Sequence, residues 1–171
     1  MKGNNMKIEQ FIDEFNKDKD KEAYVRKHIT HDYIPYSRKV SVCSQIAEYS
    51  THKEIQWKKM FWNNSSLRYM LFVYAIIEEY TDIELGKKGA GRIAAFDLIE
   101  QFNVMYFVST CLGEEYKRID TVLKMQVDDV YSNERDLVSF LETKITSLGL
   151  ISERLGEIYE HKNQRLNGSE N

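Results

Sequence analysis

The chain has 171 residues, of which 42% are hydrophobic and 30% charged, and this suits one globular domain with a core of its own. Its formal net charge of −3 lacks the basic surplus typical of nucleic-acid-binding proteins, so we expect no nucleic-acid interface. Two cysteines far apart, a polar N-terminus and the lack of any long apolar run indicate a reduced, cytoplasmic protein with no signal peptide and no membrane span.

Helical spacing of apolar residues begins near the N-terminus. A first amphipathic helix is predicted from four residues at i, i+3, i+4 and i+7, namely Ile8, Phe11, Ile12 and Phe15. A charged stretch at residues 16–22 separates it from a second short helix around residues 24–29. Pro35 favours the start of a third helix, which continues to about Ser50. The apolar face of that helix is predicted to be Tyr36, Val40, Cys43 and Ala47.

The middle of the chain supplies the predicted core. Residues 54–62 end in a bulky apolar cluster, and we interpret them as a short helix or a compact loop, with a strand as the less favoured alternative. Residues 63–66, Asn-Asn-Ser-Ser, are typical of a helix N-cap, because short polar side chains accept hydrogen bonds from free backbone amides. The helix that follows, residues 67–80, is apolar on all sides between residues 69 and 77, which is typical of a buried central helix.

Residues 81–92 interrupt the helical pattern with a glycine-rich basic segment. Lys87, Lys88 and Arg92 are predicted to lie in a mobile basic loop that contacts an acidic partner. A phosphate-binding loop would need a preceding strand and a Lys-Ser/Thr pair at the helix start, whereas Arg92-Ile93 occupies that position here. We therefore do not expect nucleotide binding at this segment.

The C-terminal part predicts further helices, at about residues 93–112, 114–130 and 133–159. The last is the most regular, because six apolar residues follow alternating steps of four and three with only Lys144 interrupting: Leu137, Leu141, Leu148, Ile151, Leu155 and Ile158. Gly149 and Gly156 are seven residues apart, so they share a face that another backbone can approach closely. These eight residues are the predicted partner-binding surface. The alternative is an amphipathic helix that packs on the protein's own core.

These elements predict an all-α protein. We expect a compact multi-helix bundle with a largely buried central helix and a long amphipathic C-terminal helix. Residues 1–160 are predicted to form a single helical domain, and residues 161–171 a polar, disordered tail.

The sequence contains no pattern that predicts catalysis. His28, His31 and Asp32 could form half a metal site on one helix face, but the further ligands that such a site needs do not follow in the pattern. The Glu-x-x-His motif of di-iron helical bundles does not occur, and neither cysteine has a neighbouring histidine to activate it. We therefore expect a protein that is not an enzyme and that uses no metal and no cofactor.

Three segments of the sequence are the basis of a resemblance. They are Asp-Tyr-Ile-Pro-Tyr at 32–36 followed by Lys39-Val40, Leu-Arg-Tyr-Met-Leu-Phe at 67–72, and Val-Asp-Asp-Val at 127–130 followed by Asn133-Glu134 and Leu-Val-Ser-Phe at 137–140. Over residues 7–155 the chain resembles a group of small all-helical proteins carried by phages and prophages of Gram-positive bacteria. The resemblance implies no catalytic residues. It implies a phage setting, in which such proteins act as virion or assembly components or as small inhibitors of host factors.

Two functions are compatible with these patterns. The first is a phage-type interaction protein, an accessory component in head or tail assembly, which binds protein partners or a second copy of itself through the C-terminal helix. The second is an inhibitor of a host defence or nucleic-acid enzyme, which would mimic nucleic acid with a contiguous acidic face including Glu78, Glu79 and Asp82. Both would act in the cytoplasm of the host cell, with association with the virion as the alternative location.

Overall fold

The computed structural model of the chain describes residues 5–55, 58–86 and 89–167. Over these ranges it contains seven α-helices and four short β-strands, which confirms the predicted all-α class with its buried central helix and long C-terminal helix. The chain divides into two compact units, Met1–Val130 (unit 1) and Tyr131–Asn171 (unit 2). The prediction of a single domain over residues 1–160 stays a prediction. Within the described ranges, no helix combines the length and apolarity that crossing a membrane would require.

Unit 1 begins with strand β1 (Met6–Lys7) and helices α1 (Ile8–Lys17) and α2 (Lys21–His28). The four apolar residues that predicted α1 are all buried in the core. Helix α2 starts at Asp20, whose carboxylate accepts a hydrogen bond of 3.0 Å from the amide of Ala23. The rings of Phe11 and Tyr24 lie 5.3 Å apart, so the two helices meet through aromatic contacts.

Helix α3 (Tyr36–Thr51) is followed by a β-hairpin of strands β2 (His52–Ile55) and β3 (Lys58–Phe61). The strands pair antiparallel, so the prediction of a helix or loop for residues 54–62 was wrong at 54–55 and 58–61, while residues 56–57 lie outside the described residues. The amide of Trp62 donates to the carbonyl of Thr51, and the base of the hairpin is thereby joined to the end of α3. The buried face of α3 also differs from its prediction. Tyr36 is exposed, and the face consists of Lys39, Cys43, Ile46, Ala47, Ser50 and Thr51.

The central helix α4 (Ser65–Tyr80) packs against α3. Six of its side chains are buried, which confirms a largely buried central helix: Phe72, Val73, Tyr74, Ile76, Ile77 and Tyr80. The helix is not enclosed on all sides, since Tyr69 at its start is exposed. The predicted cap is also confirmed, because the side chain of Asn64 accepts a hydrogen bond of 2.9 Å from the amide of Leu67.

Replacing this cap tests how much of α4 depends on its first turn. Asn64→Ala removes the acceptor and leaves the Leu67 amide without its partner, so we expect a loss of about 1 kcal/mol in the free energy of unfolding. Urea denaturation followed by circular dichroism measures the loss. Asn64→Asp keeps a side-chain acceptor and should leave stability nearly unchanged. An equal loss in both variants would contradict a capping role.

Strand β4 (Ile83–Glu84) follows the central helix and pairs in parallel with β1. Met6 lies opposite Ile83, so the N-terminal segment is joined to the chain after α4. A second connection lies beside it, where the amide of Thr30 donates to the carbonyl of Tyr80 at 2.8 Å. These backbone bonds hold the ends of α2 and α4 together.

Three helices complete the described chain: α5 (Ala90–Gln101), α6 (Val104–Leu112) and α7 (Glu114–Asn167). Gly113, between α6 and α7, has a φ of 53°, a conformation that glycine adopts without strain. Residues 114–130 of α7 belong to unit 1 and bury Ile119, Leu123 and Val127. Sequence spacing predicted two helices here, at 114–130 and 133–159, whereas α7 is continuous to Asn167 and includes part of the predicted tail.

Candidate interaction surface

Unit 2 presents an apolar face on α7, which we call the seam face. Six large apolar side chains along residues 137–148 are 50–69% exposed: Leu137, Val138, Phe140, Leu141, Ile145 and Leu148. At about 100° per residue, five of them lie within an arc of roughly 100°, and Phe140 lies on one flank. Monomeric proteins leave few contiguous apolar faces of this kind exposed. The seam face is therefore the strongest candidate for a binding surface among the described residues.

The structure places the predicted partner-binding residues in two groups. Leu137, Leu141 and Leu148 lie on the seam face and are exposed. The other five lie within α7, but their side chains are outside the described residues: Gly149, Ile151, Leu155, Gly156 and Ile158. The predicted surface is therefore described only along its N-terminal half.

Two charged residues lie on the helix row that carries the leucines of the seam face. Lys144 occupies the position where the heptad spacing of the leucines would place the next apolar residue. Its ammonium lies 5.4 Å from the centroid of the Phe140 ring. Glu134 lies on the same row, one heptad before Leu141, and is half-buried. The row thus carries one negative and one positive residue among the leucines.

Unit 1 contains a buried ion pair that sequence patterns did not indicate. Lys39 and Glu115 are only 3% and 6% exposed, and the Lys39 Nζ donates to Glu115 Oε2 at 2.8 Å. Glu115 Oε1 accepts two further hydrogen bonds, from the Ile34 amide at 3.2 Å and from the Tyr80 hydroxyl at 2.8 Å. The ammonium also lies 4.3 Å from the centroid of the Tyr33 ring. α3, α4 and the start of α7 are connected through this one carboxylate.

The surroundings of Glu115 keep it ionised. Burial raises the pKa of this carboxyl, but hydrogen bonds from Lys39, Ile34 and Tyr80 outweigh the burial, so its pKa lies below the ordinary value. Burial and the hydrogen bond to Glu115 raise the pKa of the Tyr80 hydroxyl, which therefore stays a donor. Each polar group of this network has a hydrogen-bond partner, and this fits a structural role better than proton transfer.

A surface groove of about 480 Å³ lies next to this network. Its lining combines aromatic, apolar and charged side chains from α3, α7 and the segment before α3: Tyr33, Tyr36, Lys39, Glu114, Lys117, Arg118, Thr121, Val122 and Met125. Glu114 and Lys117 on its rim form an ion pair of 2.6 Å. Its charged lining consists of three basic side chains and one acidic side chain.

The three residues considered as half a metal site have separate partners. The Nδ1 of His28 lies 2.8 Å from a carboxylate oxygen of Asp82, and the Nδ1 of His31 lies 2.9 Å from the hydroxyl of Thr30. Asp32 is exposed on the segment that precedes Pro35. Within residues 5–55, 58–86 and 89–167, no three histidine, cysteine or carboxylate side chains lie close enough together to hold a metal ion.

The two cysteines are free thiols. Burial raises the pKa of Cys43 to about 12, and its Sγ donates to the carbonyl of Ile119 at 3.6 Å. Burial also raises the pKa of Cys111. A thiol attacks as the thiolate, so these raised pKa values do not favour either cysteine as a nucleophile.

The predicted basic loop is described only in part. Lys87 and Lys88 lie outside the described residues. Arg92 lies in the first turn of α5, where its guanidinium pairs with Glu78 and lies 5.1 Å from the centroid of the Tyr74 ring. The Tyr74 hydroxyl donates to the Arg92 carbonyl at 2.6 Å. Arg92 is therefore part of a helix with fixed contacts, which differs from the loop position that was predicted.

The acidic residues of the second hypothesis are each paired with a basic side chain. Glu79 receives two hydrogen bonds from Arg38, one of them 2.9 Å long from its Nε. Glu78 pairs with Arg92, and Asp82 pairs with His28. The surface at these three carboxylates is thus mixed in charge, unlike the phosphate backbone of a nucleic acid.

Comparison with known proteins adds no family to this description. No protein-family model matches the chain, and no curated protein or solved structure has significant similarity to it.

Proposed function

We propose that this chain is a non-enzymatic interaction protein that binds protein partners through the seam face of α7. The observation that carries the proposal is the exposure of six large apolar side chains on one helix face of unit 2. Burying one such side chain fully is worth roughly 1.5–3 kcal/mol, so a partner that covers several of them gains substantial binding free energy. Exposed aromatic residues of unit 1, such as Tyr49 and Tyr106, provide further amphipathic contacts.

We propose that this interaction takes part in virion assembly. This setting is supported by the resemblance of three sequence segments to phage-encoded helical proteins. A cytoplasmic location is supported by the free thiols of Cys43 and Cys111, since exported proteins commonly oxidise their cysteines. The second candidate, a nucleic-acid mimic, is disfavoured because Glu78 and Glu79 each form an ion pair with an arginine.

Two aspartates on the seam face test the proposal. Leu141→Asp/Leu148→Asp would place two carboxylates where a partner buries apolar surface, and we expect partner binding to be lost. Capture on immobilised chain from infected or lysogenic cells, followed by mass spectrometry, measures what is retained. Circular dichroism checks that the helix content of the variant is unchanged.

The matched control places two aspartates on the opposite side of the same helix. Ser132→Asp/Thr146→Asp changes two exposed positions that lie roughly 180–220° from Leu137 around the helix axis. We expect this variant to retain the same partners as the unmodified chain. The proposal is wrong if the folded seam-face variant captures the same proteins in the same amounts as the control.

A further inference from the structure

The charged and apolar residues on the seam face are arranged symmetrically about Ser139. Glu134 and Lys144 are each five residues from Ser139, on opposite sides. Leu137 and Leu141 are each two residues from it, again on opposite sides. All five residues belong to unit 2, and the four that flank Ser139 follow the heptad steps of a helix-pairing seam.

We infer that the seam face binds a second copy of this chain, with the two α7 helices antiparallel about a two-fold axis that crosses the pair at the axial level of Ser139. In this register Glu134 of each copy faces Lys144 of the other, and Leu137 faces Leu141. The interface then has a leucine centre with an ion pair on each side. The inference rests on the proposed function, because it names the partner of the same face.

Charge complementarity selects this orientation over a parallel one. A parallel, in-register pair would place Glu134 against Glu134 and Lys144 against Lys144, and like charges facing each other at an interface are destabilising. In the antiparallel pair each Glu134 faces a Lys144 of the other copy, so both charged contacts are attractive. The same two residues therefore favour one arrangement and disfavour the other, as charged seam residues do in helix pairs that choose their orientation.

The flanking residues fit the same axis. Val138 and Phe140 are each one residue from Ser139, so each lies close to its own counterpart in the antiparallel pair. Both are more than half exposed in the single chain. Their burial widens the apolar interface on both sides of the leucines, and two Phe140 rings near the axis can pack against each other.

Charge reversal tests the register. Glu134→Lys and Lys144→Glu each place like charges at both of the contacts between positions 134 and 144. We expect each to raise the dissociation constant of the dimer at least about tenfold, which is a loss of about 1.4 kcal/mol in binding free energy. Glu134→Lys/Lys144→Glu restores opposite charges and should bring the dissociation constant back to near that of the unmodified chain. Sedimentation equilibrium measures each constant against the monomer mass of 20.2 kDa.

Disulfide trapping tests the orientation, in full-length chains that also carry Cys111→Ser. We expect a Leu137→Cys chain mixed with a Leu141→Cys chain to form a mixed disulfide dimer on mild oxidation. A Leu148→Cys chain alone should not cross-link, because its two cysteines would lie roughly 27 Å apart along the helix axis in the antiparallel pair. In a parallel pair they would face each other.

The outcomes separate this inference from the proposed function. Rescue by the double charge reversal together with the mixed disulfide supports the antiparallel pair. Cross-linking of Leu148→Cys, or failure of the double reversal to rescue, overturns it. An unmodified chain that stays monomeric at about 100 µM overturns self-pairing, yet the proposed function stands if capture of another protein still depends on Leu141 and Leu148. If the chain stays monomeric and capture of another protein also does not depend on Leu141 and Leu148, both the inference and the proposed function are wrong.

Discussion

Lys39→Met is expected to destabilise unit 1 by roughly 3–5 kcal/mol, because it leaves the Glu115 carboxylate buried without its counter-ion. Methionine keeps the length and apolar stem of lysine, so the change removes the charge with little loss of packing. The measurement is urea unfolding followed by tryptophan fluorescence. Both tryptophans of the chain fall within the residue range of unit 1, so the signal reports on that unit.

The control for this prediction is the same substitution in an exposed ion pair. Lys117 pairs with Glu114, and both side chains are more than 70% exposed. Lys117→Met should therefore change stability by less than about 1 kcal/mol. Lys39→Met/Glu115→Gln removes both buried charges, keeps an oxygen acceptor for the Ile34 amide and the Tyr80 hydroxyl, and should recover much of the lost stability. Equal effects of Lys39→Met and Lys117→Met would contradict a structural role for the buried pair.

The same pair predicts a dependence on pH. The pKa of Glu115 is lowered in the folded chain, so its contribution to stability is present above the unfolded value of about 4.3 and is lost as pH falls through the folded value. Glu115→Gln cannot ionise, and its stability should fall less steeply than that of the unmodified chain below about pH 4.3. Parallel acid-unfolding slopes in the two proteins would show that Glu115 contributes nothing to the dependence.

Ile77→Ala is expected to lower the free energy of unfolding by roughly 2–5 kcal/mol, and the loss depends on how far the core closes around the cavity. Ile77 lies on the central helix α4 and is fully buried. Ile93→Ala on α5 is the matched control, since this side chain is 56% exposed and its removal opens no core cavity. Urea unfolding of both variants gives the comparison. A loss at Ile77 no larger than at Ile93 would contradict the central position of α4.

Local spacing was enough to predict the amphipathic helices, which bury one apolar face. The four apolar residues of α1 are all buried, because a period of 3.6 residues is visible within a single segment. The hairpin was missed for the opposite reason. Residues 52–61 carry few β-branched residues and no Asn-Gly turn, so their strand character is not visible in the sequence around them.

The buried ion pair shows why the interior of unit 1 was only partly predictable. Lys39 precedes Cys43 by one helical turn and so continues the buried face of α3, which is a faint local signal. What makes its burial tolerable is Glu115, which is 76 residues away along the chain. No pattern within α3 contains that information. Glu115 was correctly placed in the first turn of a helix, but its partners come from elsewhere in the fold.

Leu137, Leu141 and Leu148 of the seam face were predicted by their heptad spacing, while its other three residues and the continuity of α7 were not. Apolar spacing predicted one helix at 114–130 and another at 133–159, with a break between them. Neither glycine nor proline occurs between residues 114 and 148, so nothing forces the helix to end there. The symmetry about Ser139 was present in the sequence but became meaningful only once Leu137 and Leu141 were found exposed.

The separation between Lys39 and Glu115 also sets an order of events during protein synthesis. At roughly 5–20 residues per second, a ribosome needs about 4–15 s to make the 76 residues between them. Until then the ammonium of Lys39 has no counter-ion, so burying it would carry the full cost of desolvating an unpaired charge. Unit 1 therefore completes its core late, when the start of α7 arrives to neutralise a charge that was made long before.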